Sequence, residues 1–469
     1  RGDRFARGKT FGHTGYTGTS YWIDPVNKCF VVLLTNRVHP SDAKGKVSRV
    51  RREVATAVAQ AFLGPIPAGE PASAGGSVST SGAGDPPAKA GSPTVLCGID
   101  VLERDHFRQL DDRRIALITN QTGRTIDGRR TVDLIAGAKN CKLVKLFSPE
   151  HGLFGKLDEK VGNTVEEKTG LPVLSLYGKT TRPTDEMLDG IDTLVYDIQD
   201  VGARFYTYES TLGICMQEAA KHKLKFVVLD RPNPVTGTLV AGPLADKGHF
   251  GFTAFNAEPV AHGMTIGELA QLFNDAYDIH CDLTVVQMQG WRRSMWFDET
   301  NLIWVNPSPN MRNLTQALLY TGICLLEATN VSVGRGTDQP FEQFGAPWID
   351  NQKLAANLND AQLPGLRFVP IEFTPIKGAK LGEQSCRGVY IIVTDRNACR
   401  PVEAGVTIAW TLHKLFGEAF EAQKVERLLA NKATMEAILT ADDPSKIPLV
   451  WQEPLQQFKQ LREKYLIYP

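Results

Sequence analysis

Five short runs of continuous apolar residues set the class of fold open to this chain. They are RIALITN at 114–120, KLVKLFS at 142–148, DTLVYDI at 192–198, KFVVLD at 225–230 and LTVVQM at 283–288. A strand with one wet face alternates apolar and polar residues, whereas a strand covered on both faces is apolar throughout. Helical stretches fall between the runs at 130–138, 184–188 and 210–222, the last with Leu212, Cys215, Met216 and Ala219 at helical spacing. Strands alternating with helices predict an α/β fold with a doubly wound, mostly parallel sheet.

Composition narrows the function. The 52 Lys and Arg balance the 52 Asp and Glu, and no basic run supplies the footprint that nucleic acid or anionic lipid requires. No apolar stretch approaches the roughly 18 to 20 residues that span a bilayer. The eight cysteines are scattered, without a C-x-x-C pair, which argues against a zinc site or a disulfide scaffold. Neither G-x-x-x-x-G-K-[ST] nor a G-x-G-x-x-G after the first strand is present, so no nucleotide, cofactor or metal is expected.

Residues 66–94 are almost purely Gly, Ala, Ser and Pro and read as a flexible linker. It separates a head, residues 1–65, from a body that carries the alternating pattern. The chain begins at Arg1 with no leader, and the head is expected to be a truncated piece. Two strands, at 17–23 and 30–35, and one helix within VSRVRREVATAVAQAFL are expected there. This stretch resembles the C-terminal end of serine β-lactamases and penicillin-binding proteins, with His13-Thr14-Gly15 at the K-T-G position. The S-x-x-K nucleophile motif is missing upstream, so the head as given is not a working serine hydrolase; an esterase or β-lactamase-like activity would belong to an intact parent.

In a doubly wound sheet, ligands bind at the carboxyl ends of the strands. Polar loops follow four of the runs: Asn120-Gln121-Thr122-Gly123, Ser148-Pro149-Glu150-His151-Gly152, Asp197-Ile198-Gln199-Asp200 and Asp230-Arg231-Pro232-Asn233-Pro234. A shielded carboxyl at a strand end can have a raised pKa and act as a general acid, which singles out Glu150. Asp197 and Asp200 are further carboxylates, with Arg204 close by in sequence. Tyr206 and Tyr208 share a face and can stack on sugar rings. Asn306, Ser308 and Asn310 sit in a proline-stiffened loop. Beyond them Glu327 ends an apolar run as Glu150 does, with Arg335 as its sequence-local cation. Thr265 and Glu268 have capping-box spacing, and His262 just precedes them.

SPEHG, YDIQDVGARFYTY, DRPNP, HGMTIGELA, WVNPSPNM and EATNVSVGRGT occur in this order from about residue 95 onward. Together they resemble glycoside hydrolase family 171, exo-β-N-acetylmuramidases that release N-acetylmuramic acid from non-reducing ends of peptidoglycan fragments. The resemblance implies a Rossmann-like catalytic domain at 95–310 and a smaller mixed α/β auxiliary domain at 311–469, with the site in the cleft between them. Ala328 stands where glycine is commoner in that family. On this resemblance Glu150 is the general acid and Glu327 or Asp197 its partner. Arg204, Arg231 and Arg335 are candidates for the lactyl carboxylate of muramic acid, since a guanidinium matches a carboxylate bidentately. Asn120, His151, Gln199, Asp200, Tyr206, Tyr208, Asp230, Asn233, His262, Asn306, Ser308, Asn310 and Asn330 complete the expected binding residues. The implied partners are muramic-acid/glucosamine saccharides and the implied location is extracytoplasmic. A non-catalytic glycan-binding module in the same cleft is the main alternative.

Overall fold

A computed structural model describes residues 11–14, 18–24, 29–36, 54, 94–155 and 162–469. The chain divides into two compact units, Arg1–Pro86 and Pro87–Pro469. In the first, three strands, β1 (Phe11–Thr14), β2 (Gly18–Asp24) and β3 (Cys29–Asn36), form an antiparallel sheet in sequence order. Two of them were expected; the additional β1 carries His13 and Thr14. The expected helix and linker lie outside the described residues.

The second unit is built on β4 (Arg114–Thr119), β5 (Lys142–Ser148), β6 (Thr164–Val165), β7 (Pro172–Ser175), β8 (Thr193–Asp197) and β9 (Lys225–Leu229). After a small β10 (Ala241–Leu244) and β11 (Pro259–Ala261) pair, β12 (Asp282–Val286) completes the main sheet. Its order is β12-β9-β8-β4-β5-β7-β6, parallel except for β6. The chain winds outward from β4 in one direction and returns to β8 to wind in the other, as expected for a doubly wound sheet.

Continuous apolarity in the strands has a direct cause. Ala116, Ile118, Leu194, Tyr196, Phe226 and Val228 point into one core, and their neighbours Ile115, Leu117, Val195, Val227 and Leu229 into the other. Helices Gly98–Arg104 and Thr131–Gly137 cover the second core, while Tyr208–His222 and Ile266–Ala276 cover the first. Thr265 and Glu268 form the expected capping box, with reciprocal bonds of 3.2 and 3.0 Å.

Beyond residue 311, helix Leu314–Ile323 leads to a three-stranded antiparallel sheet of β13 (Gln343–Ala346), β14 (Leu366–Phe373) and β15 (Cys386–Val393), with β15 in the middle. Helix Leu314–Ile323 crosses helix Pro401–Phe416 at backbone contact: a Cβ on Gly322 would lie 1.8 Å from the Pro401 carbonyl oxygen. Only glycine permits that approach, and it sets the position of the segment around it, from Tyr320 to Glu327. Cys97, Cys141, Cys215, Cys281, Cys324, Cys386 and Cys399 are free thiols.

Candidate active site

A cavity of about 650 Å³ is lined by Glu150 and His151 after β5, residues 205–208, Ser308 and Asn310, and Tyr320, Cys324, Glu327 and Arg335. Its remaining wall includes Tyr177, Phe252, Phe341, Arg427 and Leu428. Both halves of the second unit therefore contribute.

Glu150 stands on a tight turn in which the Gly152 N–H donates to the Pro149 carbonyl at 3.0 Å. Within it His151 has φ +68°, a left-handed conformation that a side chain disfavours. Thr207 Oγ1 donates to Glu150 Oε2 at 2.5 Å. One carboxyl oxygen is thus held by protein while the other has no partner among the described residues.

Glu327 follows a short 3₁₀ turn, Cys324–Leu326, at the end of helix Leu314–Ile323. Arg335 Nη1 pairs with its Oε1, and the Cys324 thiol donates to Oε2 at 3.1 Å. Burial drives the Cys324 thiol well above its ordinary pKa, so it stays a neutral donor.

The same cavity is lined by a chain of aromatic rings. Tyr206 packs edge-on against Tyr208 at 4.9 Å and Tyr320 at 5.6 Å, and Tyr320 against Phe341 at 4.8 Å. Tyr208 donates its hydroxyl to the Pro307 carbonyl at 2.6 Å, which anchors the loop bearing Ser308 and Asn310. The Tyr206 hydroxyl is buried with no hydrogen-bond partner, and the ring is only 6% exposed. Ser308 and Tyr208 lie beside it on the cavity wall. Opposite edges carry the stacked pair Tyr177 and Phe252, centroids 6.0 Å apart.

Arg427 is the residue that reading motifs along the chain missed. It sits in a four-residue helix, Glu426–Leu429, with no flanking motif to mark it. It is exposed, and among the described residues its guanidinium has no carboxylate within ion-pair distance. Its backbone neighbours are fixed by Arg204: Nη2 donates to Leu428 and Leu429 carbonyls at 2.7 and 2.9 Å, and Nη1 to those of Pro243 and Glu258, both at 3.1 Å.

Of the expected residues, Glu150, His151, Tyr206, Tyr208, Ser308, Asn310, Glu327 and Arg335 converge on the cavity. The others do not line it. Arg204 is fully buried, spent on four carbonyls, its pKa lowered to about 10 by desolvation. Asp197 is held by Arg231 through a two-pronged pair, 2.5 and 3.0 Å, and also accepts from Thr131. That buried pair lies at the switch point between β4 and β8, and each member is already partnered within the protein. Asp230 accepts from Gly267 N, Thr265 Oγ1 and Tyr468 OH, and burial pushes its pKa up to about 7.

Asn120 accepts from Thr122, Gln199 donates to two carbonyls, and Asn233 donates to the Met264 carbonyl. Asp200 caps Gly202 N at 2.6 Å. His262 is buried and accepts from Met264 N, with Nε2 3.6 Å from both Asp200 and Glu209. Asn306 is exposed and gives its carbonyl to Gln121, and Asn330 pins Ala419 and Glu421. Polar strand ends are thus mostly used to hold the loops that carry the cavity residues. Asp185, Glu218 and His222 form a metal-sized cluster elsewhere, but Arg182 and Lys221 already pair with Glu218.

Comparison with known proteins agrees with this geometry. The profile of the exo-beta-N-acetylmuramidase NamZ N-terminal domain matches residues 115–315, and that of its C-terminal domain residues 318–468. A beta-lactamase profile matches residues 1–56. The peptidoglycan beta-N-acetylmuramidase NamZ of Bacillus subtilis is 43% identical over 384 residues, which cover 81% of this chain and 92% of that protein. Two crystal structures of DUF1343 family proteins from Bacteroides fragilis superpose with TM-scores of 0.75 and 0.65 at 34% and 29% identity; each match covers 80% of this chain and 99% of the other. A cavity walled by both matched segments, together with the identity and coverage of these relatives, places the chain in the NamZ exo-β-N-acetylmuramidase family.

Proposed function

We propose that the protein removes N-acetylmuramic acid from the non-reducing end of muramic-acid/glucosamine saccharides derived from peptidoglycan, acting outside the cytoplasm. The observation that carries this reading is the pair of carboxyls, Glu150 and Glu327, in one aromatic-lined cavity. Glycoside cleavage needs one carboxyl that donates a proton to the leaving oxygen and a second that stays anionic beside the sugar carbon.

Glu150 suits the first role, because Thr207 occupies one oxygen and leaves the other for the glycosidic oxygen. Glu327 suits the second, because its carboxylate is paired with Arg335. As the bond from the anomeric carbon to oxygen breaks, the electron pair goes to the departing sugar's oxygen, which takes the Glu150 proton. Water then supplies hydroxide to the anomeric carbon, and its remaining proton returns a carboxylate to the acid form. The aromatic chain through Tyr206 gives the sugar ring an apolar face. Arg427 is assigned the lactyl carboxylate, since Arg335 is committed to Glu327.

The test is incubation of the whole chain with the disaccharide N-acetylmuramyl-β-1,4-N-acetylglucosamine and with a chromogenic β-N-acetylmuramide. Release of free muramic sugar from both is expected. Binding of either saccharide without any release would overturn the reading in favour of a glycan-binding module.

A further inference from the structure

A second chamber of about 850 Å³ adjoins the first and shares Asn310, Glu327 and Arg335 with it. Its far wall is the segment 374–380, which carries Ile376, Lys377 and Lys380. That wall is preformed. Ile376 N donates to the Gly336 carbonyl at 2.9 Å, Glu383 N to Pro375 at 2.9 Å, and Gly378 takes φ +89° to close the turn. Lys380 Nζ bonds the carbonyls of Glu327 and Thr329, which ties the turn to the segment holding the catalytic carboxylate.

The charges in this chamber do not cancel. Glu327 is matched by Arg335, and exposed Asp338 stands 3.4 Å from Arg312. Lys377 is exposed and has no carboxylate within ion-pair distance among the described residues, and neither has Lys380. Next to them Ile376 leaves 69% of its surface exposed, an apolar platform beside two ammonium groups. A site with an apolar floor and surplus positive charge takes a ring that carries an anion.

Resting on the muramidase reading, we propose that this chamber binds the leaving part of longer saccharides and that Lys377 receives the lactyl carboxylate of the next muramic residue along the chain. The sugar directly after the scissile bond is a neutral glucosamine, so the first anion beyond the cleavage point is that lactyl group. The enzyme is therefore an exo-hydrolase that favours substrates of three or more sugars over the disaccharide, and the favour comes from charge.

The experiment compares the disaccharide with the tetrasaccharide of alternating muramic acid and glucosamine, by calorimetric affinity in Glu150→Gln and by kcat/KM in the otherwise unaltered chain. A charge-assisted contact predicts a preference for the tetrasaccharide of about tenfold at low salt. Lys377→Glu should reduce that preference to within about twofold, and so should a tetrasaccharide whose inner lactyl carboxylate is a methylamide. Equal affinity for the two saccharides, or a preference indifferent to Lys377→Glu, overturns the proposal. A gain that appears only when the inner lactyl group bears a stem peptide also overturns it, in favour of a peptide site. If neither saccharide is hydrolysed the muramidase reading falls, while the affinities still decide whether the chamber binds the lactyl group.

Discussion

Thr207 holds Glu150 by one oxygen: its hydroxyl donates to Oε2 at 2.5 Å, and both residues line the cavity. A carboxyl gripped this way has a preferred oxygen for its proton. Glu150→Gln should lower turnover of the disaccharide by about a thousandfold, within the range for loss of a general acid. A dinitrophenyl muramide, whose leaving group needs little protonation, should lose far less. Equal losses on both substrates would remove Glu150 from the acid role. Thr207→Val should cost about tenfold in kcat, with KM nearly unchanged.

Arg427 should govern which sugar is accepted. Losing a guanidinium contact to a carboxylate predicts that Arg427→Ala raises KM for muramides by roughly 10- to 100-fold. The corresponding glucosaminide, which lacks the lactyl group, should be turned over poorly by the unaltered protein and should be unaffected by the change. Paired kinetics on the two chromogenic sugars check this.

Gly322 tests whether helix packing positions Glu327. Alanine there would place a methyl 1.8 Å from the Pro401 carbonyl, in a contact that backbone cannot yield without moving a helix. Gly322→Ala should destabilise the fold by about 1 to 3 kcal/mol or more, as overpacking does. Activity should fall further than the folded fraction does, because Tyr320 and Glu327 ride on that helix. Thermal melts and turnover on the same sample separate the two effects.

Glu258 lies fully buried near Arg204 and Glu209, and burial raises its pKa from 4.5 to about 7. The folded state therefore holds its proton more tightly than the unfolded chain. The stability it contributes is complete below pH 4.5 and is lost as pH rises through about 7. Melting temperature should decline between pH 5 and pH 8, and Glu258→Gln, which keeps a neutral side chain throughout, should flatten that decline.

How far the sequence speaks for the structure differs between parts of the molecule. β4, β5, β8, β9 and β12 were legible because each is a run of residues that must face apolar cores on both sides. β7 and β13 were not: PVLS and QFGA are too short, and too rich in Pro, Gly and polar groups, to show a pattern. Glu150 and Glu327 stood out as carboxylates ending apolar runs, and both line the cavity. Asp197 and Arg231 ended strands just as plainly, yet they face each other across 34 positions of sequence and satisfy one another. Local pattern tells where a polar group sits on a sheet edge. Whether its partner is protein or ligand depends on residues far away, and for that reason Arg427, in an unmarked helical turn, stayed invisible.

Arg204 lashes the segment before Tyr206 to the backbone of Leu428 and Leu429. During synthesis, residues 94–315 leave the ribosome with an aromatic floor and an acid but without the wall that bears Arg427. The turn that brings Arg427 to the cavity, Glu426–Leu429, follows in sequence only after both carboxyls, Glu150 and Glu327. Swapping C-terminal halves between relatives would have to carry this four-carbonyl clasp along with it.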